Sequence, residues 1–274
     1  MTSSSSTLGK VYLVGAGPGA ADLITVRGAA LLAKADVVFH DALVDEAMLA
    51  YCPQAEKIAV GKRCGKHSTA QKFINKRLVD AAQKYQTVVR LKGGDPMLFG
   101  RADEEIQALK AAGIAVEVVP GITAALAGAA SIQQSLTLRG VSRSVAFITL
   151  AQGTENLPAG QPIANPSADT LVYYMGRKDA AKIAQRLIEQ GQHGGTHKQD
   201  TPVQILEAVS TKRERLWSST LEELAAGKAD NWFDSNSPAL IMVGEALRNH
   251  NRSSSEINDG LQDSEILSNS IRRA

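Results

Sequence analysis

Short runs of β-branched residues alternate with segments of helical apolar spacing through the first half of the chain, and this alternation limits the fold more than any other feature. Strands separated by helices in this order form a mostly parallel sheet with helices on both faces. We therefore predict an α/β domain over residues 8–135. The predicted strands lie at residues 11–14, 37–39, 57–60, 88–91 and 116–119. The predicted helices lie at residues 25–34, 70–84, 101–112 and 122–132.

The sequence changes in character between Leu138 and Pro166, where a connection rich in Gly, Pro, Asn and Gln follows one more β-like run. We place a domain boundary here and predict a second, smaller α/β domain with a mixed sheet over residues 136–249. Residues 250–274 are mostly polar with few apolar residues, so we expect a disordered tail. The elements predicted in the second domain are strands at 144–150, 170–174, 203–206 and 239–243 and helices at 180–190 and 221–226.

Charge and composition exclude several classes of protein. The 30 basic and 28 acidic residues leave a net charge of +2, and aromatic residues make up 4% of the chain, which disfavours a nucleic-acid surface. Cys52 and Cys64 form no CxxC motif, and His193 and His197 flank two glycines, so we expect neither a disulfide framework nor a metal site. No apolar run reaches the roughly 20 residues that a membrane helix needs, and residues 1–7 do not resemble a signal peptide. We therefore expect a cytoplasmic protein without nucleic-acid or membrane partners.

Three glycine-rich turns follow predicted strands, at residues 15–20 (GAGPGA), 92–96 (KGGDP) and 120–125 (PGITAA). Because the carboxyl ends of parallel strands share one edge of the sheet, we expect the three turns to meet and to form a ligand site. The turns lack the Lys-Ser/Thr pair of a P-loop, so the ligand need not be a phosphate.

The first of these turns leaves alternatives open when it is taken alone. It satisfies a loose GxGxx(G/A) pattern, and Asp41 follows at about the distance of the carboxylate that binds ribose in dinucleotide sites. Pro18 removes one N–H from the loop that would donate to a pyrophosphate, which argues against such a site. From this turn alone, a dinucleotide site and a tight structural turn without a ligand stay comparable alternatives.

Together the motifs resemble the tetrapyrrole (class III) S-adenosylmethionine-dependent methyltransferases. The resemblance covers about residues 10–248 and is densest in VYLVGAGPGAADLITVRG, DALV, VGKRCG, VVRLKGGDPMLFGR and VVPGITAA. Within the family, VGKRCG and GGDPMLFGR resemble the branch that methylates uroporphyrinogen III.

This resemblance implies a fold, an activity and partners. The implied fold has two α/β domains with the active site in the cleft between them. The implied activity is C-methylation of uroporphyrinogen III to precorrin-2 by way of precorrin-1, on the route to siroheme or cobalamin. The methyl donor is S-adenosyl-L-methionine, the by-product is S-adenosyl-L-homocysteine, and no metal is required. Members of the family are usually homodimers, so we expect a homodimer. Two alternatives are a later-step corrin-ring methyltransferase and a non-catalytic module that binds an S-adenosyl ligand.

The resemblance also implies roles for individual residues. Asp41 matches the proposed general base of the family and Lys62 its proposed proton donor. Judged from the residues alone, Asp41 could instead cap the turn after its strand, and Lys62 could be a solvated surface lysine. The residues expected to surround S-adenosylmethionine are Pro18, Gly93, Gly94, Asp95, Leu98, Thr123, Ala124 and Met175, with Val209 and Ala239 from the second domain.

Uroporphyrinogen III is an octacarboxylate, so its pocket needs fixed cations, and arginine binds carboxylates bidentately. Arg101 and Arg139 match family positions that line the substrate cleft. Glu104 follows Arg101 by one helical turn and could orient that guanidinium or a pyrrole N–H. The alternative for Arg139 is an exposed surface arginine.

Two positions depart from the family pattern. Leu138 stands where most relatives have a histidine, and Leu150 stands where they have a glycine. Both lie near the predicted domain junction and away from the glycine-rich turns. We therefore expect normal binding of the S-adenosyl ligand and slower methylation of uroporphyrinogen III.

Overall fold

The structure is a computed structural model that describes residues 8–42, 44–60, 67–149 and 167–248. The strands of the first half are β1 (Lys10–Gly15), β2 (Val37–His40), β3 (Glu56–Ala59), β4 (Thr87–Lys92) and β5 (Val116–Val119). They form a parallel sheet in the order β3-β2-β4-β1-β5. Because β1 lies between β4 and β5, the turns that follow these three strands lie side by side.

Helices cover both faces of this first sheet, as the alternation of elements predicts. On one face, Leu78 and Leu109 are fully buried among strand residues. On the other face, Leu32 and Met48 are buried in the same way, Met48 within a 3-10 helix (Glu46–Tyr51). The α-helices of the first half are α1 (Val26–Leu32), α2 (His67–Ala82), α3 (Ala102–Ala111) and α4 (Ala124–Ser131).

The second half forms a mixed sheet. Its strands are β6 (Val145–Thr149), β7 (Thr170–Tyr174), β8 (Pro202–Glu207), β9 (Arg215–Thr220) and β10 (Ala239–Gly244), in the order β6-β7-β10-β8-β9. β6 and β7 run parallel, and the other neighbours run antiparallel. Two helices, α5 (Ala180–Gln192) and α6 (Leu221–Ala225), pack on one face, where Leu187 and Leu224 are buried.

Helix α4 precedes the second half in sequence but packs on the second sheet. Its Ala125 and Ala127 lie in one buried cluster with Leu206 of β8 and Leu240 of β10. The helix therefore follows a turn of the first sheet directly and covers the free face of the second. The domain limits 8–135 and 136–249 stay a prediction.

The predicted fold class is confirmed, with a parallel sheet followed by a mixed one. Each predicted strand and helix is present, and its ends differ from the prediction by at most three residues. The sequence did not predict β9, whose run Arg-Leu-Trp-Ser-Ser-Thr is largely polar and lies at a sheet edge. The second sheet therefore has five strands, as many as the first. In the described ranges, no helix is long and apolar enough to cross a membrane.

Candidate active site

The three glycine-rich turns meet at the carboxyl edge of the first sheet. Gly17 and Gly94 exchange two backbone hydrogen bonds, with N···O distances of 3.2 and 2.7 Å. The first and third turns also pack closely, since a Cβ on Gly15 would lie 2.5 Å from the Cα of Gly121. A larger residue at Gly15 would therefore force the two turns apart. The juxtaposition expected from the sequence is present.

Asp95 joins the second turn to the third. Its Oδ1 accepts a hydrogen bond from the backbone N–H of Met97 at 2.8 Å, and its Oδ2 accepts one from the N–H of Gly121 at 2.9 Å. A carboxylate oxygen has two lone pairs, so each can accept a further hydrogen bond from a ligand. The structure therefore gives Asp95 a role in holding the turns, and its contact with the cofactor stays a prediction.

The conformation of Gly94 has two consequences. Its φ of +67° lies in the left-handed region, which side chains other than glycine adopt only with strain. No described atom lies within 4 Å of the place where its Cβ would point, so the space beside the backbone is open. A ligand can approach the main chain of the second turn at this point, and Met97, the residue just after this turn, has an exposed side chain.

The second half contributes one edge of its sheet to the same region. β7 ends at Tyr174, β8 ends at Glu207, and β10 begins at Ala239, and these three points are adjacent because β10 pairs antiparallel with both neighbours. The residues expected around the cofactor from this half, Met175, Val209 and Ala239, all lie at this edge.

The edge of the second sheet touches the first glycine-rich turn directly. The N–H of Ala20 donates to Oγ of Ser210 at 3.0 Å. A Cβ on Gly19 would lie 2.5 Å from Cγ2 of Thr211 and 2.9 Å from the carbonyl oxygen of Val209. The side chain of Val209 itself is buried in the cluster under α4, so this residue reaches the turn through its backbone.

Tyr174 connects the third turn to the second sheet, a contact that the sequence did not predict. Its hydroxyl lies 2.5 Å from Oγ1 of Thr123 and accepts a hydrogen bond from the N–H of Ala125 at 3.1 Å. Its ring makes edge contacts with Phe99 at 5.2 Å and with Phe147 at 6.1 Å between centroids. Burial raises the pKa of Tyr174, so the hydroxyl stays protonated.

Asp41 lies at the carboxyl end of β2, where the sequence places it. Its side chain is 28% exposed, and its Oδ1 lies 2.5 Å from Nη2 of Arg90, a side chain that is 3% exposed. A charge-assisted hydrogen bond of this kind fixes both the position and the direction of the carboxylate. Lys62, the expected proton donor, lies outside the described residues.

A buried carboxylate lies on the far side of Arg90. Glu105 of α3 is 0% exposed, and its oxygens lie 3.1 Å from Nε of Arg90 and 3.1 Å from Nζ of Lys92. Gln71 donates to the same carboxylate at 3.3 Å. Burial lowers the pKa of Lys92, the neighbouring Arg90 lowers it further, and Glu105 opposes both effects.

Sequence reasoning missed this buried charge network, although one signal was available. Arg90 and Lys92 are two residues apart in β4, so both point to the same face of a central strand. Buried cations need partners, which predicts a carboxylate from the helices on that face. The sequence does not say which acidic residue of α3 turns inward, because Asp103, Glu104 and Glu105 follow one another.

The expected substrate residues are exposed. Arg101 binds Glu104 through two hydrogen bonds, from Nε at 2.6 Å and from Nη2 at 2.8 Å. Arg139 lies in a tight turn in which Leu138 and Ser142 exchange backbone hydrogen bonds at 3.0 and 2.8 Å. These side chains are accessible to a ligand, and their roles in substrate binding stay predictions.

The described part of the chain includes His197 and Cys52, whose surroundings are as follows. His197 is buried and pairs through Nε2 with the carbonyl of Ala168 at 3.0 Å, and burial lowers its pKa. Among the residues that the structure describes, no three His, Cys, Asp or Glu side chains are arranged to hold a metal ion. Cys52 is buried, which raises the pKa of its thiol. Cys64, Leu150 and the expected tail at 250–274 lie outside the described residues.

Comparison with known proteins gives consistent matches. The family model of the Tetrapyrrole (Corrin/Porphyrin) Methylases matches residues 10–225. A siroheme synthase of Pseudomonas fluorescens is 45% identical over 242 residues, which are 87% of this chain and 50% of the relative. A siroheme synthase of Azotobacter vinelandii is also 45% identical, over 88% of this chain and 51% of the relative. The chain thus spans about half the length of these curated relatives.

Two solved structures are similar over nearly their whole length. A uroporphyrin-III C-methyl transferase from Thermus thermophilus, complexed with S-adenosyl homocysteine, is 39% identical, with a TM-score of 0.72 over 88% of this chain and 94% of that one. A cobalt precorrin-4 methyltransferase of cobalamin biosynthesis is 29% identical, with a TM-score of 0.73 over 88% of this chain and 96% of that one.

Proposed function

Because this chain belongs to the tetrapyrrole (corrin/porphyrin) methylases, we propose that it transfers methyl groups from S-adenosylmethionine to carbon atoms of uroporphyrinogen III. The product is precorrin-2, formed by way of precorrin-1. The observation that carries the proposal is the 39% identity to a uroporphyrin-III C-methyl transferase over 94% of that chain. The meeting of the three glycine-rich turns supports the proposal from the geometry.

The S-adenosyl ligand fits the region where the turns meet. The main chain at Gly94 is open on one side, and the exposed thioethers of Met97 and Met175 offer apolar, polarisable surface. Thr123 and Ala239 close the region from the third turn and from the second sheet. When bound, S-adenosylmethionine supplies a methyl group that its sulfonium already activates. The protein therefore has mainly to align an electron-rich pyrrole carbon and to manage one proton.

Asp41 is the residue that we assign to that proton. Formation of the new carbon–carbon bond uses an electron pair of the pyrrole ring, and the ring then gives up one proton. The carboxylate of Asp41 accepts it, since this group is part exposed at the carboxyl end of β2 and Arg90 keeps it in one orientation. Lys62 is proposed as the group that donates a proton.

Arg101, oriented by Glu104, and Arg139 are proposed to bind carboxylates of the substrate. Arginine suits this task because its planar fork matches a carboxylate bidentately. The Arg101–Glu104 pair is 40% and 47% exposed, so water screens it and a substrate carboxylate can compete for the guanidinium. We also propose that the protein is a homodimer and is located in the cytoplasm.

A later-step corrin-ring methylase is the second candidate. It is favoured by the similarity to a cobalt precorrin-4 methyltransferase. The two functions differ in the substrate that they accept. Incubation of the protein with uroporphyrinogen III and S-adenosylmethionine, followed by mass spectrometry, is expected to give a tetrapyrrole with two added methyl groups. Binding of S-adenosylhomocysteine without any methylated product would favour the later-step methylase or a non-catalytic binding module.

A further inference from the structure

The proposed reaction uses Asp41, and Arg90 to orient it, but gives no role to the buried Lys92 and Glu105 behind them. Two cations, Arg90 and Lys92, and the fully buried Glu105 lie under the carboxyl edge of the first sheet. Charges removed from water are costly unless they are paired, and a network that replaces water with fixed partners is rigid. This network therefore holds the side chains that it contacts in fixed positions.

Arg90 is held at each of its guanidinium nitrogens. Nε donates to Glu105 at 3.1 Å, Nη1 donates to the carbonyl of Leu91 at 3.1 Å, and Nη2 donates to Asp41 at 2.5 Å. A planar group with its three nitrogens engaged cannot rotate without breaking a bond. Asp41 is therefore oriented by a guanidinium whose own direction depends on Glu105.

Lys92 links the same carboxylate to the second glycine-rich turn. Its Nζ lies 3.2 and 3.1 Å from the two oxygens of Glu105. Its side chain also packs against Gly100, four residues beyond that turn, since a Cβ on Gly100 would lie 3.2 Å from Cε of Lys92. Glu105 thus bridges the cation that orients the proposed proton acceptor and the cation that begins the turn where the cofactor is proposed to bind.

We propose that Glu105 is a positioning residue for methyl transfer, which acts through Arg90 to hold Asp41 at a fixed place relative to the glycine-rich turns. This role rests on the proposed function, because it has meaning only if Asp41 handles a proton in the reaction. A merely structural Glu105 would affect folding and cofactor binding along with turnover. A positioning Glu105 affects kcat, because the misplaced group acts only in the transition state.

The test compares the unmodified protein with Glu105→Gln, which keeps the shape of the side chain and loses its charge. We expect kcat for uroporphyrinogen III to fall about 10- to 100-fold, while KM and the Kd for S-adenosylhomocysteine change less than about threefold. Asp103→Asn is the matched control, because this exposed carboxylate lies on the same helix and points away from the network, and it should leave kcat unchanged. Thermal melting of each variant reports whether it is folded. Arg90→Lys replaces Glu105→Gln if the latter does not fold, because it keeps the charge but cannot bridge Glu105 and Asp41.

A double-mutant cycle with Asp41→Asn separates the outcomes. If Glu105 acts through Asp41, Glu105→Gln should cost less than about threefold in kcat once Asp41 is already replaced. Independent losses that multiply would overturn the positioning role, as would an unchanged kcat in Glu105→Gln alone. If the unmodified protein does not methylate uroporphyrinogen III, the proposed function itself fails and this role fails with it. If the unmodified protein is active and the two losses in kcat multiply, the positioning role fails and the proposed function stands.

Discussion

Adjacent tyrosines at the end of β7 provide a sharp test of the contacts that join the two halves. The hydroxyl of Tyr174 lies 2.5 Å from Oγ1 of Thr123 and accepts from the N–H of Ala125 at 3.1 Å. Tyr174→Phe removes both hydrogen bonds and leaves a buried threonine hydroxyl and a backbone N–H without that partner. We expect a loss of about 1–3 kcal/mol in the free energy of unfolding, because an unpaired buried polar group costs that much.

Tyr173→Phe is the matched control, because the same atom is removed one residue earlier. Tyr173 is 1% exposed, and its hydroxyl has no hydrogen-bond partner within the described part of the chain. Burial raises the pKa of Tyr173 to about 12, so the group is neutral. Removing an unpaired buried hydroxyl removes a desolvation cost, and we expect the protein to become more stable by up to about 1 kcal/mol or to stay unchanged.

Urea unfolding of the two variants and the unmodified protein measures these free energies. The two substitutions should differ by about 1–4 kcal/mol, with the loss confined to Tyr174→Phe and with equal m-values for the three proteins. Equal losses in both variants would contradict the reasoning, because they would mean that the contact with Thr123 and Ala125 contributes nothing specific. A stability loss confined to Tyr173→Phe would contradict it more strongly.

Four further substitutions test the site itself. Asp41→Asn should lower turnover by about 100-fold or more and leave the Kd for S-adenosylhomocysteine within a few-fold, and near-normal turnover would remove its role in proton transfer. Arg101→Ala should raise KM for uroporphyrinogen III with little effect on cofactor binding, and an unchanged KM would refute a contact with a substrate carboxylate. Gly94→Val should weaken S-adenosylhomocysteine binding far more than it lowers the stability of the unliganded protein, which it also strains because Gly94 has a positive φ. Comparable losses of affinity and of stability would mean that the glycine has only a structural role. Leu138→His should raise the rate of methylation in single-turnover experiments, and no increase would mean that the departure from the family pattern does not limit the reaction.

Much of the fold follows from local pattern. Runs such as the Val-Val-Phe of β2 (Val37–His40) predict strands at the right place, because strands buried in a parallel sheet need no alternation with polar residues. The convergence of the glycine-rich turns also follows, because it depends only on parallel strands that are neighbours in the sheet. By contrast, β9 was missed, since an edge strand exposes much of its surface and its sequence is correspondingly polar.

Tertiary contacts account for the rest of the site. Nothing in the sequence near Tyr174 indicates that its hydroxyl reaches Thr123, because that contact depends on how α4 joins the two sheets. Glu105 looks like one of several helix-surface carboxylates until its helix is placed over β4. Non-glycine residues of positive φ around the site, such as Arg101 and Met175, are also set by tertiary packing rather than by local sequence.

The most direct test of the proposed function counts the methyl groups that the protein transfers. Excess protein is mixed with S-adenosylmethionine labelled in its methyl group and with uroporphyrinogen III, the reaction is stopped at increasing times, and the label in the tetrapyrrole is measured. We expect one label per tetrapyrrole at early times and two at completion, as precorrin-1 is converted to precorrin-2. With Asp41→Asn, both methylations should be much slower. Absence of label in the tetrapyrrole, from protein that binds S-adenosylhomocysteine normally, would contradict the proposed function.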